Sequence, residues 1–188
     1  MLVRAESAAS TRRHILAAAT RLAYERIDLD SITLDQIADR AGVTAMTILR
    51  HFGDKKHLLT EIAKIERKRV IASRRAVPGD IKEAVRVLYD HYDELGDWGI
   101  RAQARELVEP SLRRQLNQAR LAHRRWVEET FAPQIARSPV NNRSNVIDAL
   151  VVATDVLTWK LLCRDLGRPR KKAEATVRDM IEAIEGAG

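Results

Sequence analysis

A chain of 188 residues with 45% apolar and 31% charged side chains holds core-forming material for one small and one larger domain, which excludes wholesale disorder. No apolar run approaches bilayer-spanning length and no apolar signal core opens the chain, so a cytoplasmic protein with no membrane partner is predicted. The net charge of +7 is concentrated early, since residues 1–75 hold 15 Lys and Arg against 9 Asp and Glu while the remainder hold 18 against 17. A basic end suits DNA, but it suits RNA, a membrane surface or plain solubility equally until a motif decides.

In chain order, residues 1–9 read as a frayed arm, with a mobile tail favoured over phosphate contacts from Arg4, Arg12 and Arg13. A first helix is predicted from Ser10 to Arg26, its stripe of Ile15, Leu16, Ala19, Leu22 and Ala23 repeating at helical spacing. Thr33 followed by Gln36 forms a capping box, so a second helix starts at Leu34, and Gly42 ends it near Ala41. Thr44 caps a third helix. The two short helices and their glycine turn form a helix-turn-helix, locked by Leu34, Ile37, Ala38, Val43, Ile48 and Phe52.

Around the third helix, Ile48 and Phe52 turn inward with Thr44 and His51 flanking them, and Met46 and Arg50 point the opposite way. Thr47 and Leu49 lie on the shoulders of that outer face, and Ala45 sits at its N-terminal end. In a major groove, arginine forks onto a guanine edge, and Met, Leu and Ala touch thymine methyls. Gly53 and Asp54 break the chain, Asp54 caps a fourth helix, and Lys55 at its start suits a phosphate.

From Arg13-His-Ile-Leu-Ala-Ala-Ala through Thr33, Ile37-Ala38, Ala41-Gly-Val-Thr44, Thr47-Ile48, His51-Phe52 and Lys55 to Leu58, the chain resembles the tetracycline-repressor (TetR) family of bacterial transcription regulators. The likeness covers some 45 residues in fixed spacing, far more than a lone helix-turn-helix pattern. It implies backbone contacts from Thr33, Thr47, His51 and Lys55, and a C-terminal domain whose last two helices pair with a second subunit's in a four-helix bundle. Three positions depart from the family: Met46 replaces Gly or Pro, Ala45 replaces a frequent Lys, and Leu49 replaces a nearly constant Tyr. Since that tyrosine usually serves the DNA backbone or a base, an unusual operator sequence is expected. The glycine usual after the first helix is also missing, with Arg26-Ile27 in its place.

The fourth helix continues through Leu58, Leu59, Ile62 and Ile65 to about Arg75, where Val77-Pro-Gly-Asp80 makes a turn. Its basic run Lys64 to Arg69 reads as a solvated face. A fifth helix follows Asp80, and Gly96-Asp97 is expected to end it and cap another, Trp98 to about Leu107, with a break at Pro110. A helix from Ser111 to Phe131, a loop from Pro133 to Asn142, one long helix from Val146 to Leu166 and a last helix from Arg170 to about Ile184 complete the chain. Val146 to Leu166 is apolar on more than one side, so it must bury two surfaces.

Six of eight aromatic residues, Tyr89, Tyr92, Trp98, Trp126, Phe131 and Trp159, lie in this C-terminal part, where they either line a ligand cavity or form core. His123 beside Trp126 is either a core histidine with a satisfied ring nitrogen or a ligand contact. Asp90, Asp93, Glu94 and Asp97 lack an HxxH partner and are assigned to helix ends, so no metal is expected. Cys163 excludes an internal disulfide and a cysteine-based zinc site, and reads as a packed thiol.

The expectation is an all-α protein of about nine helices: a DNA-binding domain over residues 1–56, then an effector-binding and dimerisation domain over 57–188. Its predicted function is that of a ligand-responsive regulator, a repressor, binding a palindromic double-stranded DNA operator as a homodimer. DNA contacts are assigned to Thr33, Thr44, Ala45, Met46, Thr47, Leu49, Arg50, His51 and Lys55. Ligand contacts are assigned to Tyr89, Tyr92, Trp98, His123, Trp126 and Trp159. The alternatives are a DNA-binding dimer without an effector, or an enzyme. No nucleophile with an adjacent base supports the enzyme, and no cofactor is expected.

Overall fold

A computed structural model describes residues 2–26 and 31–186, which are mostly helical and carry no strand. The chain divides into two compact units, Met1–Val70 and Ile71–Gly188. This division falls well after the boundary at residue 56 expected from the sequence, and it places most of the fourth helix with the first unit.

The N-terminal unit contains α1 (Leu2–Glu25), α2 (Leu34–Ala41), α3 (Ala45–Phe52) and most of α4 (Lys55–Ser73). Helix α1 takes in the stretch read as a frayed arm, because Ala5, Glu6, Ala8 and Ala9 are good helix formers that continue the helix backwards. The Arg4 side chain and the turn after Arg26, residues 27–30, lie outside the described residues. Ile15, Ala19 and Leu22 of α1 close over Ile37, Ala38, Ile48 and Phe52, with Leu58 and Ile62 of α4 completing the core. Tyr24 donates to Glu66 and accepts from Arg69 at 3.3 Å, tying α1 to α4. Burial first, and then the Glu66 contact, pushes the Tyr24 hydroxyl up to about 12.

The C-terminal unit is built from α5 (Ile81–Arg105), α6 (Pro110–Thr130), α7 (Ala132–Arg137), α8 (Arg143–Ala153), α9 (Val156–Lys160) and α10 (Arg170–Gly186). A 3-10 turn, Val140–Asn142, precedes α8, and a π-turn, Leu161–Asp165, follows α9. Counting α8 and α9 as halves of one interrupted helix gives the nine helices expected for the described residues. Asp80 starts α5 by accepting the Glu83 amide at 2.9 Å. The core joins Ala84, Val85 and Leu88 of α5 to Val127, Phe131, Val146, Leu150, Val177 and Ile181.

Three expectations are corrected here. Helix α5 runs through Gly96 without a break; this glycine serves packing, since a Cβ on it would stand 2.6 Å from the Trp159 ring. The loop expected from Pro133 contains α7, whose Ile135 reaches the core. The long helix expected from Val146 to Leu166 is interrupted at Thr154 and Asp155, and Asp155 restarts it by accepting the Leu157 amide at 2.8 Å. At the interruption, Tyr92 donates to the Thr154 carbonyl at 2.8 Å and Thr158 donates to the Val152 carbonyl at 2.6 Å. Side chains therefore satisfy backbone groups that a continuous helix would have satisfied itself.

Gly96→Ala makes the packing role testable. In an ordinary helix interior the change stabilises by up to about 1 kcal/mol. Against the Trp159 ring it is overpacking and should destabilise by about 1–3 kcal/mol, read as a lowered midpoint in thermal or denaturant unfolding.

Candidate DNA-binding site and buried polar cluster

The helix-turn-helix is set by its caps. Thr33 accepts the Gln36 amide at 3.2 Å while Gln36 accepts the Thr33 amide at 3.1 Å, so the capping box closes reciprocally. Gly42, at φ 65° and ψ 37°, ends α2 in the left-handed region that a side chain would strain. Thr44 then accepts the Thr47 amide at 3.2 Å, and the two threonine hydroxyls lie 3.0 Å apart. The capping oxygens act as acceptors, so the Thr33 hydroxyl hydrogen, and one from the Thr44–Thr47 pair, remain available to a phosphate.

Ile48 and Phe52 anchor the inner side of α3. Met46 is 72% exposed and Arg50 is exposed beside it, as the angular reading requires. Among the described residues no hydrogen bond or ion pair holds the Arg50 guanidinium. Ala45, Thr47, Leu49 and His51 are half-buried, and Thr33 and Thr44 are exposed. Asp54 accepts the His57 amide at 2.7 Å, capping α4 so that its first amides and half-buried Lys55 stand together just beyond α3.

One residue of this unit has a role the sequence did not reveal. Arg12 places its guanidinium 4.3 Å from the centre of the Phe52 ring, donates to the His51 carbonyl at 3.2 Å and pairs with Glu61. It is thus a clamp joining α1, α3 and α4, and not a free phosphate contact. The Arg12 hydrogen bond holds the Glu61 carboxyl below the usual carboxylate range. No local motif signals such a role, because the partners are distant in sequence.

In the C-terminal unit the assigned aromatics separate into two groups. Tyr89, Tyr92 and Trp159 are core, Trp159 being only 1% exposed and donating to Asp93 at 3.3 Å. Burial pushes the hydroxyls of Tyr89 and Tyr92 well above their ordinary range, so both stay protonated. Trp98 and Trp126 are half-buried. Trp126 stacks on His123 with ring centres 5.7 Å apart and donates to the Arg74 carbonyl at 2.8 Å. The acidic cluster meets arginines: Asp90 and Asp93 pair with Arg170, and Asp97 with Arg164. Burial pushes the half-buried Cys163 thiol up, consistent with a packed thiol.

His123 has a partner at each ring nitrogen. Arg74 can only donate, so Nδ1 accepts from it at 3.4 Å, and Nε2–H donates to the Thr154 hydroxyl at 3.1 Å. Thr154 donates its own hydroxyl hydrogen bond to the Leu150 carbonyl at 2.6 Å. Burial, reinforced by the Arg74 charge, lowers the His123 pKa to about 4, so the ring is neutral at pH 7.

Comparisons with known proteins agree with this geometry. A helix-turn-helix presenting an exposed helix between capped turns defines the class as helix-turn-helix DNA-binding proteins. Residues 15–62 match the model for bacterial regulatory proteins of the tetR family. The N-terminal segment is therefore similar to the DNA-binding domain of that family. Over 90 residues it is 33% identical to the HTH-type transcriptional regulator AcrR of Shigella flexneri, an alignment covering 46% of this chain and 41% of that protein. The alignment thus spans less than half of the curated relative's length. A solved transcriptional regulator from Rhodococcus sp. Rha1 shares the fold at a TM-score of 0.63 and 16% identity, over 94% of this chain and 96% of that one.

The His123 environment sets a pH dependence. An unfolded histidine titrates near 6.5 and this one near 4, so its neutral form stabilises the fold above pH 6.5 and that contribution is lost as pH falls towards 4. The full loss is about 3 kcal/mol. His123→Gln retains a donor and an acceptor but does not titrate, so the stability advantage of the wild type over this variant should shrink between pH 7 and pH 4. A difference that stays constant over that range contradicts the assignment.

Proposed function

We propose that this protein is a TetR-family regulator that binds a specific palindromic operator as a homodimer, inserting α3 of each subunit into the major groove as a repressor. The observation that carries the reading is the exposed Arg50, unpaired among the described residues, beside Met46 on a helix whose opposite side is buried. Arg50, with Met46, Leu49 and Ala45, reads bases, while Thr33, Thr44, Thr47, His51 and Lys55 serve the backbone. Half-sites about 34–36 Å apart suit two such helices. Val152, Leu157, Leu161, Leu166 and Met180 are exposed apolar residues on and around α8, α9 and α10, which supports pairing through the final helices. A small-molecule effector that releases DNA is placed in the C-terminal unit, centred on Trp98, His123 and Trp126. Tyr89, Tyr92 and Trp159 are so fully built into the core that they favour the second reading, a DNA-binding dimer without an effector, as far as those three residues go.

The operator is obtained by selection from random DNA on the full chain. Arg50→Ala should then weaken binding by about 1–3 kcal/mol and relax preference at one base pair in each half-site. Unchanged preference at every position would make Arg50 a phosphate contact. Lys55→Ala should weaken all sequences alike and flatten the dependence of affinity on salt, because fewer counterions are released. Equal affinity of wild type and variant at moderate salt removes Lys55 from the interface.

A further inference from the structure

We propose that Arg74 anchors a binding site for a small organic carboxylate in the C-terminal unit. The proposal rests on the effector reading above and names the chemistry of the ligand. Arg74 is half-buried, its guanidinium 5.4 Å from the centre of the Tyr92 ring and 5.8 Å from that of Trp126. One Nη donates to His123 Nδ1, and Nε is sealed from solvent with no hydrogen-bond partner. Among the described residues no carboxylate pairs with it. Asp155, the acid closest in sequence to the Thr154 end of the cluster, accepts the Leu157 amide instead.

Other arginines of this unit behave differently. Arg86, Arg120, Arg124, Arg164 and Arg170 each meet a carboxylate at 2.6–3.1 Å on the surface. Arg74 instead has two aromatic faces and an imidazole lone pair. A partly desolvated cation without a counterion is costly, and an anion that supplies one is bound more strongly there than on the surface. The unpaired Nε–H is half of the edge that a carboxylate grips with two parallel hydrogen bonds, once the side chains that cover it move aside. His123 is neutral and already accepts from Arg74, so it neither supplies a competing anion nor blocks the remaining N–H groups. Arg74 follows α4 by a single residue, so an anion held there bears directly on the end of the helix that begins at Lys55.

The probes are sodium benzoate and its neutral counterpart benzamide. They are titrated into the full-length protein without DNA, at constant chloride ionic strength, and followed by tryptophan fluorescence and calorimetry. Benzoate should saturate in the millimolar range and bind at least about tenfold more tightly than benzamide. Arg74→Met should weaken benzoate by about tenfold or more while leaving benzamide unchanged, with thermal unfolding confirming the fold. Arg74→Lys, which keeps the charge without the fork, should bind benzoate with intermediate affinity. Should Arg74→Met not fold, the benzoate–benzamide contrast and the lysine variant decide. No saturation with benzoate, equal binding of the two probes, or undiminished benzoate binding by either variant overturns the site. Operator binding is measured separately: benzoate bound through Arg74 without loss of operator affinity keeps the site and removes its effector role. Release of the operator by a neutral compound, in a protein that does not bind benzoate, keeps the effector reading and overturns the carboxylate site.

Discussion

The contact of Arg12 with Phe52, the His51 carbonyl and Glu61 is the constraint on which presentation of the recognition helix depends. Helix α3 has eight residues, too few to hold its own direction in water. Ile48 and Phe52 bury its inner side, but apolar packing is non-directional and tolerates sliding. A guanidinium that stacks on the ring, donates to the carbonyl and pairs with an acid on α4 adds directional contacts that fix the position. The pairing with Glu61 is partly exposed and contributes modestly by itself. Its effect lies in joining three elements through one side chain, so that Met46 and Arg50 project from a fixed platform.

A different economy governs the C-terminal unit. Its core is apolar and conventional, yet α8 and α9 are separated by an interruption whose backbone groups are satisfied by Tyr92, Thr154 and Thr158. His123 links that interruption to Arg74, and Trp126 holds the Arg74 carbonyl. Buried polar groups persist only where they are paired, and here every member but the Arg74 Nε has its partner within the chain of contacts. Within this cluster, among the described residues, the unfilled position is cationic and lies beside two aromatic rings. This asymmetry is the physical basis for assigning anionic chemistry to the site.

The family match and the structural likeness bear on different parts of the molecule. The matched segment, residues 15–62, is the part whose capping residues and glycine turn are dictated by local geometry. The likeness at 16% identity extends over nearly the whole chain and speaks to the arrangement of helices alone. Between them they leave the chemistry of the C-terminal unit to this chain's own residues. Met46, Ala45 and Leu49 likewise make the outer face of α3 particular to this chain.

The sequence by itself determined the helix-turn-helix. Thr33 with Gln36, Gly42, Thr44 and Asp54 act on amides within three residues, so their pattern is legible without knowing what packs where. The outward direction of Met46 and Arg50 follows from helical pitch once Ile48 and Phe52 are inside. Tertiary structure decided what depends on partners far along the chain. Gly96 looks like a helix stop until Trp159 is seen against it, and the apolar pattern of residues 146–166 continues unbroken across Thr154 because both halves face the same core. Arg12 and Arg74 are two arginines among many in the sequence. Only folding gives one a ring, a carbonyl and an acid, and leaves the other over two rings with no acid among the described residues, because long-range packing and not local spacing selects the partners of a flexible side chain.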